Sequence, residues 1–452
     1  MLETASGINR QIAESCGAVK RDFRQKYHMM PPVGWMNDPN GLIKFNGRYH
    51  LFYQFNPYAA HPGVMLWGHF ISDDLIGYSD KGAAIVPDKE HVSIFSGGAT
   101  EYGEKLAAVY TEHYECGGDR REEVYMALSS DGMNFSRGVR IFDNDDLPEG
   151  ISRSDFRDPF PVKTDDGYYV FVGGKLVNEN KGIIVVLGGS GLEKLEYKFT
   201  IGPFYELGDM GECPCYRKID GKDVIIASGC NVPRRGNDFA NVNSSVFIVG
   251  KIDFEGKSFV AESIREIDKG DAFYAPQLIN GDDRPVMVAW HEIWGKPYPT
   301  SDMNHGWAGC FTIPRELRVK DGEVLQSPIS ELEKYLVPCA GGGVPECADI
   351  RFEFRGDGRV EISGQDGSVA VGCRDGRVYL DTRRANNMNG CVRTVNRSRE
   401  KNGVRVLLDV SGIEVFVDGG AETISSRIYI RGNRSLTASG EVGKLEIKKV
   451  QV

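Results

Sequence analysis

The sequence predicts an all-β protein in which a β-propeller is followed by a C-terminal β-sandwich. Short aromatic and β-branched runs recur between turn signals from about Met29 to Leu336. The 55 glycines exceed ordinary usage and suit a fold with many tight turns. Beyond Pro338, apolar and polar residues alternate more strictly than anywhere else in the chain.

The elements can be justified in order. Residues from about Ala5 to Lys26 have helix-forming composition and predict a short N-terminal helix or arm, 1–28. Strands are predicted at Arg48 to Phe55, Tyr168 to Val172 and Ile183 to Leu187, with turns at Asn46-Gly47, Asp131-Gly132, Asp166-Gly167 and Asp220-Gly221. The strand-rich region 29–337 is too long for one sandwich. Four-stranded blades fit it at roughly 60 residues each if there are five. Pro338 to Cys347 holds three consecutive glycines between two prolines and reads as a linker, 338–348. In 349–452, Ile350, Phe352 and Phe354 alternate with Arg351 and Glu353, Ile413, Val415 and Val417 flank Glu414 and Phe416, and Leu445 and Ile447 alternate with charges. Half-buried strands with a polar outer face make a sandwich of about 100 residues.

Composition narrows the function classes. A net charge of −10 argues against a nucleic-acid surface. No run approaches the roughly 18 apolar residues of a membrane span, and Met1 to Met30 lacks the apolar core of a signal peptide. The ten cysteines show no C-x-x-C pair, and His291-Glu292 has Gly295 where a zincin needs its second histidine. The expectation is a cytoplasmic protein with reduced thiols, no metal and no cofactor, acting on a small neutral ligand.

Three carboxylates stand in unusual surroundings: Asp38 in Trp35-Met36-Asn37-Asp38-Pro39-Asn40-Gly41, Asp158 in Phe156-Arg157-Asp158-Pro159, and Glu212 in Gly211-Glu212-Cys213-Pro214. Trp and Met before a turn sequence are costly to expose, whereas a sugar offers C–H faces for tryptophan and hydroxyls for amides and carboxylates. A propeller brings turns at strand ends to one end of its axis. Glycoside hydrolysis needs two carboxyls, and a separation of about 5 Å gives retention of configuration. Small, apolar neighbours predict a raised pKa for Glu212 as the acid, with Asp38 staying ionised.

These boxes resemble glycoside hydrolase family 32. Lys26-Tyr27-His28, Phe95-Ser96-Gly97, Phe273-Tyr274-Ala275, Gly306-Trp307, Pro314-Arg315-Glu316-Leu317, Gln326-Ser327-Pro328 and Ser426-Arg427-Ile428 continue the likeness in order. The resemblance implies a five-bladed propeller with a C-terminal sandwich and a retaining β-fructofuranosidase acting on sucrose, sucrose-6-phosphate or short fructans. It implies Asp38 as nucleophile, Glu212 as acid/base and Asp158 as stabiliser of the transition state. Asn37, Gln54, Phe95, Ser96, Arg157 and Trp290 map onto fructose-binding positions, with Trp35 and Trp67 lining the pocket. The chain departs from the family at Tyr78, at Pro62 and at Ser96-Gly97-Gly98, which touches leaving-group recognition more than catalysis. Rival readings are an exo-acting fructan hydrolase, a sugar-binding propeller without catalysis and a glycosidase of pentosans.

Overall fold

A computed structural model describes residues 4–339, 343–396 and 403–452. Five antiparallel sheets follow one another along the chain. Their innermost strands are Gly34–Phe45, Val92–Tyr102, Ile151–Thr164, Met210–Ile219 and Tyr274–Leu278, and each contacts the next around a central axis. The expected strands lie in Arg48–Asn56, Gly167–Leu176 and Lys181–Gly189. Apolar residues fill the space between blades. Val109 and Val124 of the second meet Val170 and Val172 of the third, and Phe171 and Ile184 of the third meet Ile225 and Ile248 of the fourth.

The ring closes between the fifth blade and the first. Trp307 and Ala308 pair in parallel with Gly34 and Trp35. Asn280 exchanges backbone hydrogen bonds with Leu42 and Lys44. Gln277 and Asn280 also reach across the axis, donating to the carbonyls of Gly97, Ala99 and Pro161 in the second and third blades. These bonds satisfy inner-strand carbonyls that have no water to turn to.

Every innermost strand is interrupted by a β-bulge at an equivalent place: between Met36 and Pro39, Phe95 and Gly97, Arg157 and Phe160, Glu212 and Cys215, and Tyr274 and Gln277. The carboxylates therefore lie inside strands and not on turns at strand ends, which corrects the sequence expectation. Proline without an N–H is tolerated in a strand where the ladder is already broken. The Asx-Pro turn signal was real local chemistry expressed as a bulge.

The C-terminal sandwich is built on two long strands, Ala348–Ser363 and Ser435–Val450, which pair along nearly their whole length. Bulges around residues 354–358 bend both. The first half of Ala348–Ser363 extends through Gly403–Leu408, Gly412–Val417 and Glu422–Arg427, and its second half through Ser368–Arg374, Arg377–Arg384 and Val392–Asn396. Leu336–Pro338 pairs with the last strand and Val344 bridges to Arg434, while 340–342 lie outside the described residues. Two predicted alternations fail. Gly412–Val417 has no polar outer face, because the propeller covers it and buries Glu414 completely. Leu445 is turned outward beside the register shift between Arg351 and Glu353.

The helical prediction resolves into Ala5–Ser15, whose Ile8 and Ile12 are buried in the core cluster of the first blade, and a single turn Cys16–Ala18. Residues 23–28 then run between the two domains. Backbone amides of Lys26, Tyr27 and His28 converge on the buried Asp409. The His28 ring bridges Asp409 (2.8 Å) and Glu414 (2.9 Å). Burial alone would lower its pKa, but the two carboxylates raise it to about 9, so it is an imidazolium. Arg315 of the fifth blade bonds Glu414 at 2.5 Å and Asp268 at 3.1 Å, with no solvent contact.

Removing one partner of a fully buried ion pair strands the others, at a cost of about 3–5 kcal/mol. Arg315→Met is therefore expected to lower stability by that order. Equilibrium denaturation of the whole chain measures it, and an unchanged midpoint would show that the network contributes nothing net.

Candidate active site

The bulges turn side chains of four inner strands into one pocket of about 290 Å³ at the end of the axis. Asp38 comes from the first blade, Asp158 from the third and Glu212 from the fourth, and all three line it. The bulged backbone is unusual in φ as well: Asp158 is at 64°, Cys213 at 46° and Ala275 at 48°. Non-glycine residues hold such angles only where surrounding structure imposes them.

The bulges also free backbone groups for the neighbouring blade. The Cys213 amide donates to Asp158 Oδ2 (2.9 Å), and the Asp158 amide donates to Thr111 Oγ1 (2.9 Å). Asp38 Oδ2 accepts from Ser96 Oγ (2.7 Å), and Cys213 Sγ lies 3.6 Å away. Asp38 Oδ1 has no hydrogen-bond partner among the described residues. A carboxylate short of donors is hard to ionise and strongly nucleophilic once ionised.

Arg157 distributes charge within the pocket. Its guanidinium donates twice to Glu212 Oε1, once through Nε at 3.2 Å and once through Nη2. Its Nη1 reaches Glu122 Oε2 at 3.2 Å. Glu122 also takes the Phe156 amide (3.0 Å) and Arg120 (2.6 Å). On the far side of Glu212, the Tyr274 hydroxyl donates to Oε2 at 2.6 Å.

The electrostatics reverse one expectation. Burial pushes Glu212 up, but the Arg157 charge and the bonds from Tyr274 and Arg157 outweigh it and hold the carboxyl below its ordinary value. Burial raises Asp38 to about 6 against the Ser96 bond. Asp158 is raised to about 7, burial outweighing the Arg157 charge, with Glu212 and Asp38 adding repulsion. The raised pKa predicted for Glu212 thus falls on the two aspartates. Apolar sequence neighbours did not reveal a cation 55 residues away.

Of the remaining predicted residues, Asn37, Gln54, Phe95, Ser96 and Arg157 line the pocket. Trp35, Trp67 and Trp290 stand behind it, fully buried. Trp67 Nε1 donates to the Phe95 carbonyl (2.9 Å), and Trp35 Nε1 donates to Asn37 Oδ1 (2.8 Å). Their role is to fix the wall. Trp35 and Trp290 pack edge to face, and Trp294, which stacks on Trp35, supplies the exposed aromatic surface. Sequence reading missed Arg120, Glu122, Tyr274 and Trp294. Tyr274-Ala275-Pro276 repeats the residue-residue-proline pattern of Arg157-Asp158-Pro159 and Glu212-Cys213-Pro214, which would have flagged it. Glu122 sits in the charged run Asp119 to Glu123, which reads as a solvated face.

The description "Glycosyl hydrolases family 32 N-terminal domain" matches 28–328, and "Glycosyl hydrolases family 32 C terminal" matches 359–452. The chain is 32% identical to a raffinose invertase of Escherichia coli, covering 89% of each chain. It is also 32% identical to a sucrose-6-phosphate hydrolase of Escherichia coli, over 90% of this chain and 89% of that one. The structure of a GH32 beta-fructofuranosidase of Bombyx mori superposes with a TM-score of 0.90 at 28% identity, covering 99% of this chain and 98% of that one. A mutant of the same enzyme in complex with sucrose gives 0.89, with the same identity and coverage.

The Asp38 shift has a measurable consequence for stability. Its folded pKa lies above the unfolded value, so its contribution is fully present below about pH 4 and is lost as pH rises through about 6. Asn at this position has nothing to lose. Asp38→Asn is expected to be more stable than the parent by about 1–3 kcal/mol at pH 7, the gap closing towards pH 4. Thermal unfolding at both pH values decides this. A gap that is absent, or that widens in acid, would contradict the assigned shift.

Proposed function

This chain belongs to glycosyl hydrolase family 32, and we infer from the pocket that it is a β-fructofuranosidase that hydrolyses sucrose. The observation that carries the reading is the asymmetric setting of its carboxyls. Asp38 lacks donors on one oxygen, whereas Glu212 is clamped between a guanidinium and a phenol. Two carboxyls of one pocket in opposed environments have the division needed for nucleophile and acid/base.

In the proposed mechanism, Asp38 attacks the anomeric carbon of the fructosyl unit while Glu212 gives its proton to the departing oxygen. Glu212 then takes a proton from the water that cleaves the fructosyl-enzyme. Asp158, held by the Cys213 amide, accepts bonds from two ring hydroxyls and faces the positive charge that develops on the ring. Phe95, Gln54 and Trp294 complete the sugar's surroundings. The substrate is a small sugar, in keeping with a pocket of this volume, and no described helix is long and apolar enough to cross a membrane. We place the enzyme in the cytoplasm, where sugar phosphates are retained, because a relative from Escherichia coli is a sucrose-6-phosphate hydrolase, and the chain needs no cofactor for this chemistry.

Productive chemistry requires Asp38 ionised and Glu212 protonated, the reverse of the distribution these pKa shifts favour. A bell-shaped kcat/KM profile reports the macroscopic values of the set and not a single group. Its basic limb is expected to fall between about pH 6 and 7, where Asp38 and Asp158 finish titrating. Tyr274→Phe removes a donor to ionised Glu212, so the acidic limb should move to higher pH. An unmoved limb would remove Tyr274 from the acid/base.

Sucrose, sucrose-6-phosphate and inulin, tested in parallel for released fructose, examine the activity itself. Glu212→Gln should lower sucrose turnover by at least about 10²-fold with the fold intact. Undiminished turnover in Glu212→Gln, or no fructose from any of the three substrates, would overturn the reading.

A further inference from the structure

The second half of the sandwich bears a groove of about 560 Å³ on its outer face, in the domain that does not hold the catalytic pocket. Its floor follows from sheet register. Arg359, Gly372, Tyr379 and Thr394 lie side by side on four adjacent strands. A Cβ at Gly372 would stand 2.2 Å from Tyr379 Cζ, so the phenol lies down across the glycine. The ring is half-exposed and forms a flat platform in the sheet.

Charged groups surround it. Asp381 holds Arg383 in a two-point bond of 2.9 and 2.8 Å, and Arg359 hydrogen-bonds Glu361 (3.2 Å) and lies 3.6 Å from Asp381. At one end the turn Asp375-Gly376 has positive φ at both residues, which fixes a two-residue hairpin and sets Arg374 directly opposite Arg377. Like charges directly opposite each other destabilise a sheet. Neither arginine has an ion pair among the described residues, and both line the groove. The hairpin thus maintains an unfavourable pair on a chain whose net charge is −10.

We propose that this groove binds a phosphorylated sugar, the sugar ring lying on Tyr379 and the phosphate between Arg374 and Arg377. A planar aromatic ring matches the C–H face of a pyranose or furanose. Guanidinium pairs match phosphate in geometry and charge. The Asp381–Arg383 pair offers both an acceptor and a donor to ring hydroxyls. A neutral sugar would leave the opposed arginines unrelieved, and a bare anion would leave the platform unused.

Calorimetric titration of the full chain at fixed ionic strength, with glucose 6-phosphate, glucose and inorganic phosphate as separate probes, tests this. Glucose 6-phosphate should bind at least about tenfold more tightly than either fragment. Tyr379→Ala, and Arg374→Gln combined with Arg377→Gln, should each weaken it by about tenfold or more while sucrose hydrolysis stays unchanged. Gly372→Ala, which displaces the ring, should act like Tyr379→Ala. Parental affinity in these variants would place the ligand elsewhere and overturn the proposal. So would inorganic phosphate binding as tightly as glucose 6-phosphate, which would leave the ring without a role.

Discussion

The active pocket depends on one backbone device, the bulge that recurs in all five innermost strands. A regular ladder would alternate side chains between the two faces of each blade, and the amides of these innermost strands between the sheet and its free edge. The bulge breaks both rules where the chain passes the end of the axis. It turns Asp38, Asp158 and Glu212 towards a common point, and it releases the Cys213 amide to hold Asp158 in the next blade. Proline after the bulge in four of the five strands takes a place where no ladder bond was available. Catalytic geometry and blade-to-blade adhesion thus come from the same local irregularity.

That geometry creates an electrostatic problem, which Arg157 resolves unevenly. Three carboxylates in one pocket cannot all ionise without a counter-charge. Arg157 sits against Glu212 and Glu122, with Arg120 securing Glu122 from outside. Glu122 is consequently drawn down to about 2 despite burial, while Asp38 and Asp158 remain above the ordinary range. Protons are therefore held more tightly by the two aspartates than by Glu212. Hydroxyl groups donating to Asp158 favour its ionised form, which is the direction catalysis requires.

Fold class was legible in the sequence because strand periodicity and turn dipeptides are local signals. Asn46-Gly47 and Asp220-Gly221 are turns where the residues say they should be. The three carboxylates were legible because aromatic and proline neighbours set them apart from ordinary surface acids. What stayed hidden depends on contacts remote in sequence. Nothing around Glu212 announces Arg157, and nothing in Asp119 to Glu123 distinguishes the buried Glu122 from exposed neighbours. Glu414 misled for the same reason. Alternation shows which face of a strand is apolar, and cannot show that a second domain covers the other with arginine and histidine.

Two boxes that carry the likeness to the family hold the domains together, and this bears on the pocket as well. Arg315 of the Pro314 to Leu317 box and Arg427 of the Ser426 to Ile428 box both end in the interdomain network. That network lies beside the seam where Trp307 pairs with Gly34 to close the ring. Trp307 itself is enclosed by Phe23 of the N-terminal arm, by Met30 just after it and by Tyr429 of the sandwich. Asp38 is four residues beyond Gly34 on the closing strand. A propeller is weakest where its first and last blades meet, because no covalent connection joins them there. Arm and sandwich brace that seam from outside, so the position of Asp38 depends on a domain that contributes no residue to the pocket.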